Sequence, residues 1–199
     1  MATKEKKTAK KVIGIVGSPR QGGNTDILVD EVLAGAREAG ARVEKVILND
    51  LTIGYCQGCD RCREAGKCHQ EDDMPLLLKK MQASDVWVLG TPVYWWGPSA
   101  QFKTFLDRWY GAGKIVRFRD KHVILAIPLG DTNNETARHL LGMLQDSFDY
   151  LKMKIFASIV ALGAYRLGEV LEQRSVMNAA RSAGRDVIAA ETPGRSAKG

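Results

Sequence analysis

Short apolar runs alternate with longer amphipathic segments along most of the chain. Five runs rich in aliphatic and β-branched residues are typical of buried strands, and each is followed by a segment whose apolar residues recur at helical spacing. The predicted strands cover 12–16, 42–48, 85–90, 122–128 and 155–161. The predicted helices cover 25–39, 72–83, 99–109, 134–151 and 168–190. The chain therefore alternates between strand and helix from its first element to its last.

This alternation predicts an α/β protein with helices on both faces of a parallel sheet. We expect a doubly wound, three-layer αβα architecture with five strands in the flavodoxin-like order 2-1-3-4-5. Ligands of such sheets bind at the carboxyl edge, where the connections from strands 1 and 3 diverge. A single domain is expected over 12–190, between a disordered basic tail (1–11) and a flexible C-terminal tail (191–199).

The formal net charge is +6, but residues 1–11 alone contain five lysines and one glutamate. The rest of the chain is therefore close to neutral, and we expect no nucleic-acid partner. No apolar run is long enough to span a bilayer, and the basic N-terminus lacks the apolar stretch of a signal peptide. These features predict a cytoplasmic protein without a membrane partner.

The loop after strand 1, GSPRQGGNT (17–25), combines glycines with hydroxyl, amide and guanidinium groups. Glycines allow the backbone N–H groups to approach an anion, and the following helix presents its N-terminus. The loop has neither the G-x-G-x-x-G pattern of dinucleotide sites nor the Gly-Lys-Ser/Thr of P-loops. A mononucleotide phosphate is thus favoured over an ordinary turn. The candidate contacts are Ser18, Arg20, Gly23, Asn24 and Thr25.

The loop after strand 3, TPVYWWGP (91–98), holds three consecutive aromatic residues at the same predicted edge. Adjacent aromatic side chains in a loop cannot all enter one core, so some should face a flat ligand or a partner chain. An aromatic wall beside a phosphate loop fits a flat ring with a phosphate tail, as in FMN. A dimer contact is compatible with the same loop.

The only four cysteines of the chain fall in one short segment with the spacing C-x2-C-x2-C-x5-C: Cys56, Cys59, Cys62 and Cys68. Thiols stay reduced in the cytoplasm, so this clustering favours metal or redox chemistry over disulfides. Steps of three residues suit a cubane iron–sulfur cluster. Zinc is an alternative, although its sites usually join two C-x2-C pairs through a longer spacer. Ordinary cysteines without a metal are another.

These segments, the DDM sequence at 72–74 and the stretch TPVYWWGPSAQFKTFLDR resemble the NAD(P)H-dependent FMN reductases of flavodoxin fold, and especially the iron-sulfur flavoproteins. The resemblance implies that the FMN phosphate is held by Ser18, Arg20, Asn24 and Thr25. It implies that Pro92, Val93, Tyr94 and Trp95 line the isoalloxazine, with Gly130 and Asp131 near the ring. It also implies that the four cysteines ligate one [4Fe–4S] cluster and that the protein is a homodimer or homotetramer.

We therefore expect an FMN-binding oxidoreductase with a [4Fe–4S] cluster, which passes electrons from ferredoxin or NAD(P)H to a small acceptor. One alternative is a cluster-free NAD(P)H-dependent FMN or quinone reductase. Another is a non-catalytic electron carrier or redox sensor. No arrangement of nucleophile, histidine and carboxylate is apparent, so no catalytic side chain is assigned and the chemistry is expected to belong to the cofactors.

Overall fold

The computed structural model describes residues 9–112 and 116–190. The predicted tails, 1–11 and 191–199, lie outside these ranges except for residues 9–11, and Lys11 already belongs to the first strand. The division into one domain and two tails stays a prediction. None of the described helices is long and apolar enough to cross a membrane. The cytoplasmic location also stays a prediction.

Five parallel strands form one sheet in the order β2-β1-β3-β4-β5, which confirms the predicted architecture. The strands are β1 (Lys11–Val16), β2 (Arg42–Ile47), β3 (Val86–Gly90), β4 (His122–Pro128) and β5 (Lys154–Ala161). The α-helices are α1 (Asn24–Glu38), α2 (Arg61–Ala65), α3 (Met74–Gln82), α4 (Ala100–Asp107), α5 (Arg138–Tyr150) and α6 (Arg174–Ala189). Short 3₁₀ turns follow α4 and precede α5 and α6.

Alternate residues of the central strands supply two separate cores, one on each face of the sheet. On one face, Ile13 and Trp87 pack with apolar residues of α3, α4 and α5. On the other face, Val12 and Val88 pack with apolar residues of α1 and α6. Burial of this kind contributes about 25 cal/mol per Å² of apolar surface, so both faces must be covered for the sheet to be stable.

The burial of the strands differs in one respect from the sequence prediction. The three central strands are buried along almost their whole length, as predicted, but β2 and β5 are half exposed. They are the edges of the sheet, where only one side has a neighbouring strand, so their sequences can alternate between apolar and polar residues.

Helices α1 and α6 approach each other through two glycines. A Cβ atom on Gly35 would lie 1.9 Å from the carbonyl oxygen of Arg181, and one on Gly184 would lie 2.0 Å from the carbonyl oxygen of Val32. The two backbones can be this close only because neither glycine has a side chain. This contact fixes α1, whose N-terminus faces the candidate site.

Candidate functional site

A cleft opens at the carboxyl ends of β1, β3 and β4, the edge at which the sequence predicts a ligand. Its volume is about 340 Å³, within the range of sites for small organic ligands. The predicted residues that line it are Ser18, Arg20, Asn24, Thr25, Pro92, Val93, Tyr94, Gly130 and Asp131. Sequence reasoning missed Pro128, Leu129, Ala164 and Tyr165, which also line it. Of the predicted set, Gly23 and Trp95 are not part of the lining.

Backbone hydrogen bonds connect the loops around the cleft. The N–H of Val93 donates to the carbonyl of Pro128 at 3.2 Å. The N–H of Ala164 donates to the carbonyl of Leu129 at 2.8 Å. These bonds bring the loop after β5 to the cleft, although β5 is the last strand of the sheet. The main chain therefore holds the walls of the cleft in place independently of a ligand.

The loop after β1 turns back on itself before α1 begins. Gly22 has φ of 63°, a left-handed conformation that favours glycine, and its N–H donates to the Asp26 carboxylate at 3.0 Å. The N–H of Arg20 donates to the Ser18 hydroxyl oxygen at 3.1 Å. This turn directs the N-terminus of α1, whose first N–H groups lack intrahelical acceptors, toward the cleft. The helix dipole there favours an anion.

The first turn of α1 also contains a carboxylate, and its negative charge would by itself oppose the binding of an anion. The side chain of Asp26 is buried and lies 2.7 Å from the Lys45 ammonium. Lys45 lies equally close to Asp30. Burial alone would lower the pKa of Lys45, but the two carboxylates outweigh it and raise that pKa. Lys45 thus stays charged and offsets the negative charge beside the site.

The Arg20 side chain reaches the loop after β5. Its Nη1 donates to the Tyr165 carbonyl at 3.1 Å, and its guanidinium lies 6.0 Å from the centroid of the Tyr165 ring. Arginine has five N–H donors, and in the described part of the chain only this one makes a hydrogen bond. The rest of the guanidinium remains accessible to an anionic ligand at the rim of the cleft.

The side-chain amide of Asn24 is fully engaged with the loop that follows β5. Its Nδ2 donates to the carbonyls of Ala164, at 2.9 Å, and Arg166, at 2.8 Å. Its Oδ1 accepts the N–H of Val170 at 3.1 Å. An amide group has two donor hydrogens, and both are used here. Asn24 lines the cleft, but its side chain joins α1 to this loop.

The loop after β3 (91–98) contains a two-residue turn. Tyr94 and Gly97 exchange two backbone hydrogen bonds, of 2.8 and 3.0 Å, and the tryptophans between them have positive φ: 50° at Trp95 and 59° at Trp96. The left-handed conformation costs about 1–2 kcal/mol for a residue with a side chain. Strained residues of this kind often lie at functional sites. Trp95 is 92% exposed and Trp96 is 50% exposed.

A buried serine joins the far end of this loop to the loop after β1. The Ser99 hydroxyl accepts the N–H of Phe102 at 3.2 Å, which caps α4, and it donates to the Gly17 carbonyl. The N–H of Ser99 donates to the Thr91 hydroxyl oxygen at 3.0 Å. The loop after β1 and the loop after β3 therefore keep a fixed separation.

The turn after β4 supplies the third wall of the cleft. Gly130 packs against Tyr165, since a Cβ atom there would lie 2.9 Å from the tyrosine ring. The Asp131 carboxylate accepts the Thr136 hydroxyl at 2.6 Å and the Asn133 N–H at 2.9 Å. These donors, with Thr136 the stronger, hold the pKa of Asp131 below its ordinary value. Asp131 is therefore anionic near neutral pH and shapes its own turn.

A separate, smaller cavity lies beneath the loop between β2 and α3, and all four cysteines line it. All four are free thiols, and the cavity has a volume of about 20 Å³. The short helix α2, which sequence reasoning missed, carries Cys62. Gly111 lies directly against α2, since a Cβ atom on this glycine would be only 3.4 Å from the Cys62 sulfur. Cys59 lies 3.7 Å from Nδ1 of His69.

Within the described ranges, no group of three or more His, Cys, Asp or Glu side chains is arranged so that it could hold a metal ion. The predicted ligands Cys56, Cys59, Cys62 and Cys68 thus surround one cavity without forming a metal site in this conformation. Four thiols are nevertheless a donor set that suits iron–sulfur clusters and zinc.

A buried ion pair closes the base of the cysteine loop. The guanidinium of Arg108 contacts both oxygens of the Asp72 carboxylate, and the two side chains are only 1% and 6% exposed. Burial alone would raise the pKa of Asp72, but Arg108 and the N–H groups of Gly54 and Met74 outweigh it and lower that pKa. Sequence reasoning noticed Asp72 only as part of a motif and missed Arg108, which lies 36 residues further along the chain.

The sequence pattern of the family described as NADPH-dependent FMN reductase matches residues 10–166. An iron-sulfur flavoprotein of Methanocaldococcus jannaschii is 49% identical over 98 residues, 49% of this chain and 51% of that protein. A second one from the same organism is 33% identical over 143 residues, 69% of this chain and 70% of that protein. An Archaeoglobus fulgidus iron-sulfur flavoprotein is 39% identical over 112 residues, 56% of this chain and 51% of that protein.

The chain thus spans about half the length of two of these curated relatives. Among solved structures, an NAD(P)H:quinone oxidoreductase from Methanothermobacter marburgensis matches with a TM-score of 0.70 at 16% identity, over 90% of this chain and 98% of that one. A flavone reductase matches with a TM-score of 0.68 at 24% identity, over 90% of this chain and 62% of that one. At such identities the likeness concerns the fold alone, and it agrees with the predicted flavodoxin-like arrangement.

Proposed function

Because the chain belongs to the NADPH-dependent FMN reductase family, we propose that it is an oxidoreductase whose FMN binds in the cleft at the carboxyl ends of β1, β3 and β4. One observation carries the proposal. The residues singled out by sequence for a phosphate and those singled out for a flat ring come from separate loops, and most of them line the same cavity. When bound, FMN would supply the hydride and electron transfer chemistry.

In this proposal the phosphate lies at the N-terminus of α1, beside the Ser18 hydroxyl and Thr25. Arg20 offers its unused N–H groups from the rim. Asn24 contributes through position, because its amide already holds the loop after β5. Gly23 precedes the first residue of α1 and contributes backbone rather than lining. The ring would then lie against Pro92, Val93 and Tyr94 on one side, with Gly130 and Asp131 opposite.

Trp95 does not line the cleft, so a direct contact with the ring would need a change in the turn or a neighbouring subunit. We propose a homodimer or homotetramer in which the exposed Trp95 and Trp96 lie close to a subunit contact. The proposed electron donors are NAD(P)H and a ferredoxin-type protein, and the proposed acceptor is a small molecule. Several curated relatives are named iron-sulfur flavoproteins, and one solved neighbour is named an NAD(P)H:quinone oxidoreductase.

The phosphate site is tested by titration of the flavin-free protein with FMN and with riboflavin, which lacks the phosphate. We expect FMN to bind more tightly than riboflavin. Arg20→Ala should weaken FMN binding by about 10–150-fold, the range for one charged hydrogen bond, and leave riboflavin binding unchanged. Gln21→Ala, a change in the adjacent exposed side chain, is the matched control. Equal affinity for the two flavins, or no binding of either, would contradict the proposed site.

We propose further that the four-cysteine loop holds a [4Fe–4S] cluster. The support is the convergence of four thiols on one cavity and the names of the curated relatives. Iron, acid-labile sulfide and zinc per chain, measured after anaerobic reconstitution, distinguish the alternatives. About four irons and four sulfides per chain support the cluster. Zinc alone would indicate a zinc site, and neither metal would leave a cluster-free reductase.

Turnover separates an enzyme from a carrier. If the loaded protein accepts electrons but passes them only slowly to every small acceptor, an electron carrier or redox sensor is favoured. Rapid steady-state oxidation of NAD(P)H with a quinone or free flavin supports an oxidoreductase. Cys62→Ser should abolish uptake of the cluster and leave FMN binding intact, because the thiol cavity and the flavin cleft share no lining residue among those described.

A further inference from the structure

An arginine from elsewhere in the chain bridges the two ends of the loop that carries the four cysteines. Arg108 Nη1 donates to the carbonyl of Gly54, before the first cysteine, at 2.8 Å. The same group contacts the Gln70 side chain at 3.3 Å and the Asp72 carboxylate, both after the last cysteine. Asp72 in turn accepts the N–H of Gly54 at 3.0 Å. The two ends of the loop therefore meet on one guanidinium.

Arg108 also has a face that these contacts do not use. The residue is 3% exposed, and its Nε is buried without a hydrogen-bond partner among the described residues. A buried N–H without a partner costs about 1–3 kcal/mol, so most such groups in proteins are paired. Arg108 lines the same cavity as the four thiols. The free donor thus belongs to a residue in the wall of the site that a thiolate-bound group would fill.

We propose that Arg108 is the positioning residue of the four-cysteine site. It closes the loop and supplies a hydrogen-bond donor and a fixed positive charge to the sulfur atoms of the bound group. The inference rests on the proposed cluster. Hydrogen bonds and charges around cluster sulfurs set the reduction potential, and residues around the ligands typically change metal affinity by 10–100-fold. A donor and a cation favour the reduced form of a cluster, because reduction adds negative charge.

The position of Arg108 explains why an arginine is needed there. Three separate acceptors surround Nη1, and the second nitrogen, Nη2, contacts the other oxygen of Asp72 at 3.2 Å. Only the planar, forked guanidinium can serve these acceptors and still offer Nε–H in another direction. A lysine could keep the charge and one or two contacts, but it has no equivalent of Nε at that place.

The experiment compares the wild type with Arg108→Lys and with the double variant Arg108→Gln/Asp72→Asn. The double variant removes both charges together, so no unpaired carboxylate is left buried. Arg63→Gln is the matched control, because this side chain lies on the same loop but is 72% exposed. Each protein is reconstituted anaerobically with iron and sulfide. The readouts are iron and sulfide per chain, release of iron to a chelator, the reduction potential by spectroelectrochemistry, and FMN affinity.

We expect both Arg108 variants to lose iron to the chelator about 10–100-fold more readily. Their reduction potential should be more negative because both lose the Nε–H donor, while lysine keeps the positive charge and the double variant removes one charge of each sign. FMN affinity should stay unchanged, and Arg63→Gln should behave as the wild type. A role limited to holding the loop would alter iron retention and leave the potential unchanged. If Arg108→Lys does not fold, the same measurements on the double variant test the inference.

Two results would overturn this inference and leave the proposed cluster intact. One is a loaded wild type and loaded Arg108 variants with the same potential. The other is a shift in Arg63→Gln as large as that in the Arg108 variants, which would show that any nearby positive charge suffices. A wild type that binds FMN and takes up no iron would instead refute the proposed cluster, and this inference with it.

Discussion

Replacement of Asn24 tests whether this residue acts as a ligand contact or as a structural joint. Its amide makes three hydrogen bonds to the loop after β5, at 2.9, 2.8 and 3.1 Å, and the residue is 8% exposed. Asn24→Ala would leave the Ala164 carbonyl and the Val170 N–H without partners, and both of these residues are buried. The Arg166 carbonyl would still accept the N–H of Glu169 at 3.2 Å. We therefore expect a loss of stability that does not depend on FMN.

The expected size follows from the number of bonds. One intramolecular hydrogen bond contributes about 0.5–1.5 kcal/mol net, and a buried group left without a partner costs about 1–3 kcal/mol. Partial access of water to the cleft should relieve some of this cost. We expect the free energy of unfolding to fall by about 2–4 kcal/mol. Asn24→Asp should be at least as damaging, because its carboxylate would face the carbonyls of Ala164 and Arg166.

The measurement is urea unfolding of the flavin-free protein. Asn178→Ala is the control, since that asparagine is exposed within α6 and should change stability by less than about 0.5 kcal/mol. FMN affinity, measured separately, should fall only as far as the displaced loop distorts the cleft. A flavin-free Asn24→Ala protein as stable as the wild type would refute the structural role. A loss confined to FMN affinity would then identify Asn24 as a direct ligand contact.

Four further outcomes are expected. Gly35→Ala should lower the free energy of unfolding by about 1–3 kcal/mol in urea, because its Cβ atom would lie 1.9 Å from a carbonyl of α6. Gly142→Ala, in open space on α5, should raise it by about 0.5–1 kcal/mol. The pKa of Asp72 is lowered beside Arg108, so its carboxylate contributes fully to the free energy of unfolding only above the pKa of the unfolded state. This contribution is lost as the pH falls below about 4. Unfolding measured as a function of pH should show the loss in the wild type but not in Asp72→Asn. Trp95→Asn should stabilise the turn by about 1 kcal/mol, because asparagine tolerates positive φ; an unchanged or lower melting temperature would contradict strain there.

The order of the sheet could be predicted because the strands and helices alternate strictly. Once the order was given, Ser18, Pro92 and Gly130 had to follow strand ends on the same edge, and the structure places all three around one cleft. Spacing alone also placed the four thiols on one loop. What was predictable thus depended on local pattern and on the rules of parallel sheets.

The long-range contacts that complete each site could not be predicted from the sequence. Asn24 bonds to residues about 140 positions away, and Arg108 contacts Gly54 across 54 positions. Such pairings depend on how the loops meet in space, and no periodicity reports them. The positive φ of Trp95 is equally hidden, since tryptophan has no preference for it. The loop after β5 was overlooked because its residues carry no motif.

The most direct test of the central claim is the visible spectrum of the anaerobic, FMN-loaded protein before and after a stoichiometric addition of NADPH, NADH or reduced ferredoxin. The account predicts that at least one donor bleaches the flavin absorption and that a quinone or another small acceptor restores it. A flavin that stays oxidised with every donor would contradict the assignment of this chain as an FMN-dependent oxidoreductase.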